Sequence, residues 1–132
     1  MKKAKANAIA DAIKMRDFRK YDIWNDAVNF ATEVYKLTST FPKYETYGLC
    51  DQLQRASVSI SSNIAEGCSR ESERDFAHFL EMSIGSAFEV ESQLLIAKNL
   101  RYIDDSQYQN MVNKLSQTER QIHALIKMLR QG

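Results

Sequence analysis

The sequence has few of the residues that interrupt helices or cross-link a chain. Its 132 residues include four glycines and one proline, which favours long helices over a turn-rich β architecture. Two cysteines, Cys50 and Cys68, are too few for a disulfide framework or a zinc site and are expected to stay reduced. No apolar run approaches the roughly 18 residues needed to cross a membrane, and there is no signal-peptide core. These absences predict a single cytosolic domain made of helices.

Catalytic motifs are also scarce. The sequence contains no G-x-S-x-G, no Walker loop and no H-E-x-x-H. Its two histidines, His78 and His123, fall at surface or boundary positions of the predicted helices. The E-x-x-H that accompanies a metal pair inside a helical bundle does not occur. The sequence therefore predicts a protein that is not an enzyme and that uses no cofactor, no metal and no small-molecule substrate.

The net charge of +1 conceals an uneven distribution along the chain. Residues 1–20 carry seven basic and two acidic side chains, whereas residues 21–132 carry 11 basic and 15 acidic ones. A mildly acidic body does not favour a phosphate-binding surface spread over it, but a basic N-terminal arm remains a candidate nucleic-acid contact. The arm's basic residues are Lys2, Lys3, Lys5, Lys14, Arg16, Arg19 and Lys20. A solvated extension without a partner is the alternative.

Apolar residues recur every three or four positions in four segments, which predicts four amphipathic helices. The first covers about residues 20–38, and the third runs from a cap at Ser72 to about Arg101. The apolar row predicted on the third helix consists of Phe76, Leu80, Ser83, Ala87, Val90, Leu94 and Ala97. Asp104 and the two residues after it cap the fourth. Because the connections between these segments are short, the fold class predicted is all-α, an antiparallel up-down four-helix bundle.

The stretch QLQRASVSISSNIAEG, residues 52–67, is ambiguous in isolation. Its alternation of serine with valine and isoleucine is typical of a β-strand, and serine-rich segments also form phosphate-binding loops. Leucine, alanine and isoleucine nevertheless recur at helical intervals from Leu49 to Ile64, and this pattern accounts for all sixteen residues. We therefore predict the second helix here, ended by Gly67 in the left-handed conformation.

A line of polar residues borders the apolar face of this second helix. Its members are Gln52, Arg55, Ser59, Asn63 and Glu66. On the third helix, Glu91 falls inside the apolar arc, where a carboxylate is costly unless a cation meets it, and Arg55 or Arg70 is the expected partner. The polar line is interpreted as an internal network that sets helix register or a subunit interface, or alternatively as a ligand or RNA contact.

The third and fourth helices carry more apolar residues than one small bundle needs. The surplus predicts self-association, because a monomer seldom leaves large apolar patches in water. The predicted oligomer interface consists of Ile84, Phe88, Leu95, Val112 and Ile126. Alternatively, these rows cover the N-terminal segment, in which Ile9 and Ile13 could pack against them.

Two stretches, FPKYETYGLCDQLQRASVSISSNIAEG and FAHFLEMSIGSAFEVESQLLIAKNL, resemble the 23S rRNA intervening-sequence protein family over about residues 15–130. The resemblance implies a four-helix bundle that assembles as a ring-like homopentamer, encoded in some bacteria within insertions of the large-subunit rRNA gene. Met15 resembles the usual start, so residues 1–14 are expected to be a basic extension and residues 15–132 the bundle domain. The motif positions that the resemblance carries over are Glu45, Gln52, Arg55, Asn63, Glu66, Arg70, Glu89 and Glu91.

A distant branch of the same family accompanies the reverse transcriptase of diversity-generating retroelements and binds nucleic acid. That branch is strongly basic, whereas the body of this chain is acidic on balance. The function predicted is a non-enzymatic, homo-oligomeric scaffold with RNA or a ribonucleoprotein as candidate partner, contacted by the basic arms. The alternative is a purely structural or protein-binding adaptor without nucleic-acid contact.

Overall fold

The computed structural model describes residues 16–131, and these residues contain four α-helices and no strand. We number the helices α1 (Asp22–Thr38), α2 (Leu49–Cys68), α3 (Glu73–Asn99) and α4 (Asp105–Gln131). Short 3-10 turns cover Phe18–Lys20 and Lys43–Glu45. The helical prediction for residues 52–67 is confirmed, and the strand and loop readings of that stretch are wrong.

Each helix packs against the next one in sequence, most extensively α2 against α3, and a smaller contact joins α1 to α4. The arrangement is consistent with a four-helix bundle. The apolar row predicted on the third helix lines the core, and all of its members are buried: Phe76, Leu80, Ser83, Ala87, Val90, Leu94 and Ala97. None of the helices in residues 16–131 is long and apolar enough to span a membrane.

The predicted caps form as hydrogen bonds. The Ser72 hydroxyl accepts a bond from the Asp75 amide at 3.0 Å. At α4, the Asp104 carboxylate accepts from the Gln107 amide at 2.7 Å, and the Gln107 side chain accepts in return from the Asp104 amide at 2.9 Å. These reciprocal bonds form a capping box, which satisfies amides that the first helical turn leaves without partners.

The third helix ends at Asn99, slightly earlier than predicted. Arg101 has a φ of 64°, and the Tyr102 amide donates to the Ala97 carbonyl at 2.9 Å. This is the geometry of a Schellman C-cap, in which a left-handed residue closes the last turn. Glycine is the usual residue in this position. Because the position is occupied by Arg101, the sequence does not indicate that the helix ends here.

Gly67 does not end α2, so the predicted left-handed stop is wrong. The helix runs through Gly67 to Cys68, and no glycine in the described chain has a positive φ. A Cβ atom on Gly67 would lie 2.9 Å from Cδ1 of Phe76 and 2.9 Å from Cβ of Phe79. The glycine is therefore required by the close approach of α2 to the start of α3.

The surplus apolar residues divide into two groups. Ile84 and Ile126 are buried in the core of the single chain, and Val112 is partly buried against it. Phe88 and Leu95 stay exposed, at 51% and 43% of their surface. Of the predicted interface set, these last two offer the largest apolar surface to a partner.

Gly67→Ala should lower the free energy of unfolding by about 1–3 kcal/mol, because the added methyl group meets two phenylalanines that are packed against the helix. Urea denaturation measures the change. Gly85→Ala is the matched control, since no atom lies within 4 Å of its added Cβ and alanine is the better helix former. Equal destabilisation by the two substitutions would contradict the packing explanation.

Candidate functional site

A polar groove runs between α2 and α3, with a volume of about 430 Å³. It brings four residues of the predicted site together with three that were not predicted. From α2 come Gln52, Arg55, Ala56 and Ser59, and from α3 come Ser86, Glu89 and Gln93. The α3 residues follow one another at three- and four-residue intervals, so they form a line along one side of that helix.

Small hydroxyl residues form the floor of this α2–α3 groove. The Ser86 hydroxyl donates to the Ser59 hydroxyl oxygen at 2.9 Å, across the two helices. The Asn63 amide donates to both the carbonyl and the hydroxyl oxygen of Ser59 at 2.9 Å. Deeper in the bundle, the buried Ser83 hydroxyl donates to the Ile60 carbonyl at 2.8 Å. The serines therefore allow close packing without leaving their own polar atoms unpaired.

Gln93 extends the site beyond the sequence prediction. Its Oε1 atom is buried and has no hydrogen-bond partner among the described residues. A buried acceptor without a partner costs free energy, which a donor supplied by a ligand would recover. The sequence contained a signal for Gln93, because the spacing from Ser86 through Glu89 to Gln93 repeats the spacing of the polar line on α2.

Arg55 pairs with Asp51, one turn earlier on α2, and not with Glu91. Its Nε atom donates to both carboxylate oxygens of Asp51 at 3.0 Å. The Arg55 side chain is 81% exposed, so this pair contributes little to stability. Across the groove Glu89 is also exposed. The rim of the groove therefore presents both signs of charge to solvent.

Glu91 lies on the other side of α3, facing α4. Two residues of helix rotate a side chain by about 200°, so Glu89 can border the α2–α3 groove while Glu91 points away from it. Burial, and next the negative charge of Glu91, raise the pKa of Glu119 on α4, while Arg120 partly offsets them. The expected pairing of Glu91 with Arg55 or Arg70 is wrong, because Arg55 pairs with Asp51 and Arg70 pairs with Glu66.

The end of the polar line forms a second cluster at the corner between α2 and α3. Arg70 pairs with Glu66 at 2.7 Å, and its guanidinium lies over the Phe79 ring. Arg16 donates to the Arg70 carbonyl at 2.6 Å and stacks on Phe76. The two Arg16 contacts hold the start of the described chain against the bundle, while the exposed side chains of Glu66 and Arg70 pair with each other.

The predicted basic arm is described only in part. Besides Arg16, Arg19 is engaged within the chain, paired with Asp17 at 3.3 Å and placed over the Phe18 ring. Lys20 is exposed. The other four members, Lys2, Lys3, Lys5 and Lys14, lie outside the described residues.

Glu45 has an architectural role at the opposite end of the bundle. Its carboxylate accepts a bond from the Leu49 amide at 3.3 Å, at the start of α2, and another from the Tyr102 hydroxyl at 2.8 Å. Tyr44 lies 3.2 Å from the same hydroxyl. The hydrogen bonds to Tyr44 and Glu45, together with burial, raise the pKa of Tyr102. These contacts fasten the loop before α2 to the loop after α3.

The thiols are placed in the core. Both cysteines are buried and unpaired. Burial raises the pKa of Cys68 to about 11, so it is a protonated, weakly nucleophilic thiol at neutral pH. No group of three or more histidine, cysteine, aspartate or glutamate side chains within residues 16–131 is placed to hold a metal ion.

Fold and groove together define a four-helix-bundle protein with a polar cleft between its second and third helices. The chain belongs to the 23S rRNA-intervening sequence protein family, whose model matches residues 19–124. A crystal structure of a protein of unknown function from the S23 ribosomal protein family of Bacteroides thetaiotaomicron is similar in fold. That match has a TM-score of 0.72 and 24% identity, and it covers 80% of this chain and 98% of the other. No curated protein matches the sequence significantly.

Glu119→Gln should raise the thermal unfolding midpoint at pH 8, and the gain should disappear near pH 4. The fold holds the Glu119 pKa above its ordinary value of 4.5, so wild-type stability falls as the pH rises through the raised value. Glutamine stays neutral, so the variant does not lose this stability as the pH rises. Calorimetry at several pH values measures the unfolding midpoints of the two proteins.

Glu89→Gln is the control, because the Glu89 carboxylate is exposed to solvent. Its unfolding midpoint should follow the wild type across the same pH range. A gain for Glu119→Gln that is the same at pH 4 and pH 8 would contradict the explanation by charge.

Proposed function

We propose that the protein is a non-enzymatic scaffold that associates with further copies of itself, as a ring-like homopentamer, and presents the assembly to RNA or a ribonucleoprotein. The observation that carries the proposal is the exposure of Phe88 and Leu95 in the middle of a long helix. Exposed aromatic and aliphatic side chains in one row are typical of a protein interface.

We assign these two residues to the side of α3 that carries Glu91, and we define the α3–α4 seam as Phe88, Glu91, Leu95, Val112 and Glu119. Phe88, Glu91 and Leu95 share one side of α3 by their spacing, and Glu91 faces Glu119 on α4. Val112 precedes Glu119 by two turns on α4 and is partly buried against the core. A second copy docked here would cover Phe88 and Leu95.

The geometry of α3 supports a ring. The seam and the α2–α3 groove lie on opposite sides of this helix, as the opposed positions of Glu91 and Glu89 require. A contact between the seam of one copy and the groove side of the next joins two different surfaces. Such heterologous contacts close into rings when the rotation between copies fits.

The RNA part of the proposal is supported by the family to which the chain belongs, whose description refers to a 23S rRNA intervening sequence. The basic residues of the first twenty positions are the candidate contact, and Lys20 is exposed. Repetition of a weak basic site around an oligomer raises the affinity of the whole assembly, with a steep dependence on salt. In the alternative function, the same seam docks a different protein and no nucleic acid.

Phe88→Gln should lower the mass of the assembly measured by native mass spectrometry, because it removes the largest apolar side chain from the seam while keeping a good helix former. Tyr35→Gln is the matched control, since Tyr35 is 49% exposed on α1 and lies outside the seam. Samples purified with and without nuclease treatment report bound nucleic acid in the same experiment.

Three outcomes of that measurement are decisive. A wild-type protein that is monomeric at micromolar concentration would contradict self-association. Equal loss of mass in the two variants would remove the seam as the contact. A wild-type assembly that carries one other protein and no RNA would favour the adaptor function.

A further inference from the structure

The four helices differ in the sign of their charge. Acidic residues outnumber basic ones in α1, α2 and α3, whereas α4 carries four basic and two acidic side chains. The acidic body expected from the whole-chain balance is therefore not uniform. The last helix has the basic surplus.

Neither acidic residue of α4 is on the outer face of that helix. Asp105 lies in the first turn and pairs with Lys98 of α3 at 2.8 Å. Glu119 is half-buried towards Glu91. From Ser106 to Gln131 there is no other carboxylate, so the outward side of the helix is free of negative charge.

A line of polar and basic residues runs along this outward side, which we call the α4 outer face. Asn113, Arg120 and Lys127 are seven residues apart, so they lie nearly in a row along the helix. The exposed side chains beside them are Gln117, Gln121 and His123. The row from Asn113 to Lys127 is about 21 Å long at the helical rise per residue.

The basic residues of α4 are not equivalent. Lys114 pairs with Glu33 at 2.6 Å and Arg130 pairs with Glu81, so these two are neutralised at the edges of the helix. Arg120 and Lys127 are exposed and make no salt bridge with any carboxylate of residues 16–131. Both cations on the α4 outer face therefore remain available for an anionic partner.

The α4 outer face has no phenylalanine, tyrosine or tryptophan, and His123 is its one ring-bearing side chain. Tyr108 is the sole residue of those three types in α4, and it lies under the Lys98 ammonium group on the α3 side. Recognition of single-stranded RNA relies on bases stacked against aromatic rings, whereas double-helical RNA is held through phosphates and 2′-hydroxyls. The cations of Arg120 and Lys127, with side-chain amides beside them, are suited to the phosphates and hydroxyls of double-helical RNA.

We propose that the α4 outer face binds the sugar–phosphate backbone of double-helical RNA, with Arg120 and Lys127 contacting phosphates and Asn113, Gln117 and Gln121 bonding phosphate and hydroxyl oxygens. This inference rests on the proposed scaffold function, because one face with two unpaired cations binds weakly and needs repetition in the assembly. It transfers the main RNA contact from the N-terminal arm to the last helix.

The test is the affinity of the full chain for a fluorescein-labelled RNA duplex of 20 base pairs, measured by anisotropy between 50 and 200 mM salt. The double variant Arg120→Gln/Lys127→Gln should weaken binding on the order of tenfold at the lowest salt. It should also reduce the slope of log affinity against log salt by about two for each subunit that contacts the duplex, one for each lost phosphate contact. Binding of a single-stranded RNA of the same length should be weaker than that of the duplex.

Lys36→Gln/Arg74→Gln is the matched control. Like the α4 variant, it removes one lysine and one arginine. Both are exposed helical residues that form no salt bridge within the described chain. The control should bind the duplex with the wild-type salt slope. Native mass spectrometry of all three proteins reports self-association independently of RNA.

The outcomes separate this inference from the scaffold proposal. Equal weakening by the two double variants, or unchanged binding by the α4 variant, would overturn the inference and leave the scaffold standing. Loss of binding on deletion of residues 1–15, with the α4 variant unaffected, would return the contact to the arm. A wild-type assembly that binds no duplex would also overturn the α4 site, whereas a monomeric wild type would refute the scaffold.

Discussion

The close packing of α2 against α3 is the constraint on which the rest of the molecule depends. Two long helices approach closely only where their facing side chains are small. Here the contact is made by Gly67 under two phenylalanines, by Ser83 bonded to a backbone carbonyl, and by the Ser59–Ser86 pair. Each of these hydroxyls finds a partner, so the serines at this contact leave none of their own polar atoms unpaired. The serine-rich sequence that suggested a strand is what allows α2 to pack closely against α3.

The same packing determines what the surface can offer. Small residues at the floor of the α2–α3 groove leave room above them, and the longer Arg55, Glu89 and Gln93 side chains border that space. On the far side of α3 the residues are longer and more apolar. The α4 outer face is the third surface, and it is basic. One bundle thus presents a polar groove, an apolar seam and a cationic face on different sides.

Most of the fold could be predicted from the sequence, because helical periodicity reports burial directly. Every member of the predicted core row on α3 is buried, and the caps at Ser72 and Asp104 form as expected. Gly67 was misread because a glycine near a helix end is usually a stop, and only the neighbouring phenylalanines reveal its packing role. Arg101 shows the converse, a helix end made by a residue without a turn preference.

The candidate site was harder to predict, because partners across helices depend on rotation and axial offset. The polar line on α2 was recognised, but its partner line on α3, which includes Ser86 and Gln93, was missed. Glu91 was predicted to pair with an arginine, because a carboxylate within the apolar face of a helix usually has a cationic partner. It faces Glu119 instead, and a helical wheel of α3 alone contains no information about α4. The whole-chain charge balance likewise concealed the basic surplus of the last helix.

The carboxylate of Glu45 has a consequence for motion at one end of the bundle. It accepts hydrogen bonds from the first turn of α2 and from Tyr102, which follows α3. Neither loop can leave its native position without breaking a bond of that shared carboxylate. The two loops should therefore open in one cooperative event of local unfolding, and their backbone amides should exchange with solvent at a common rate.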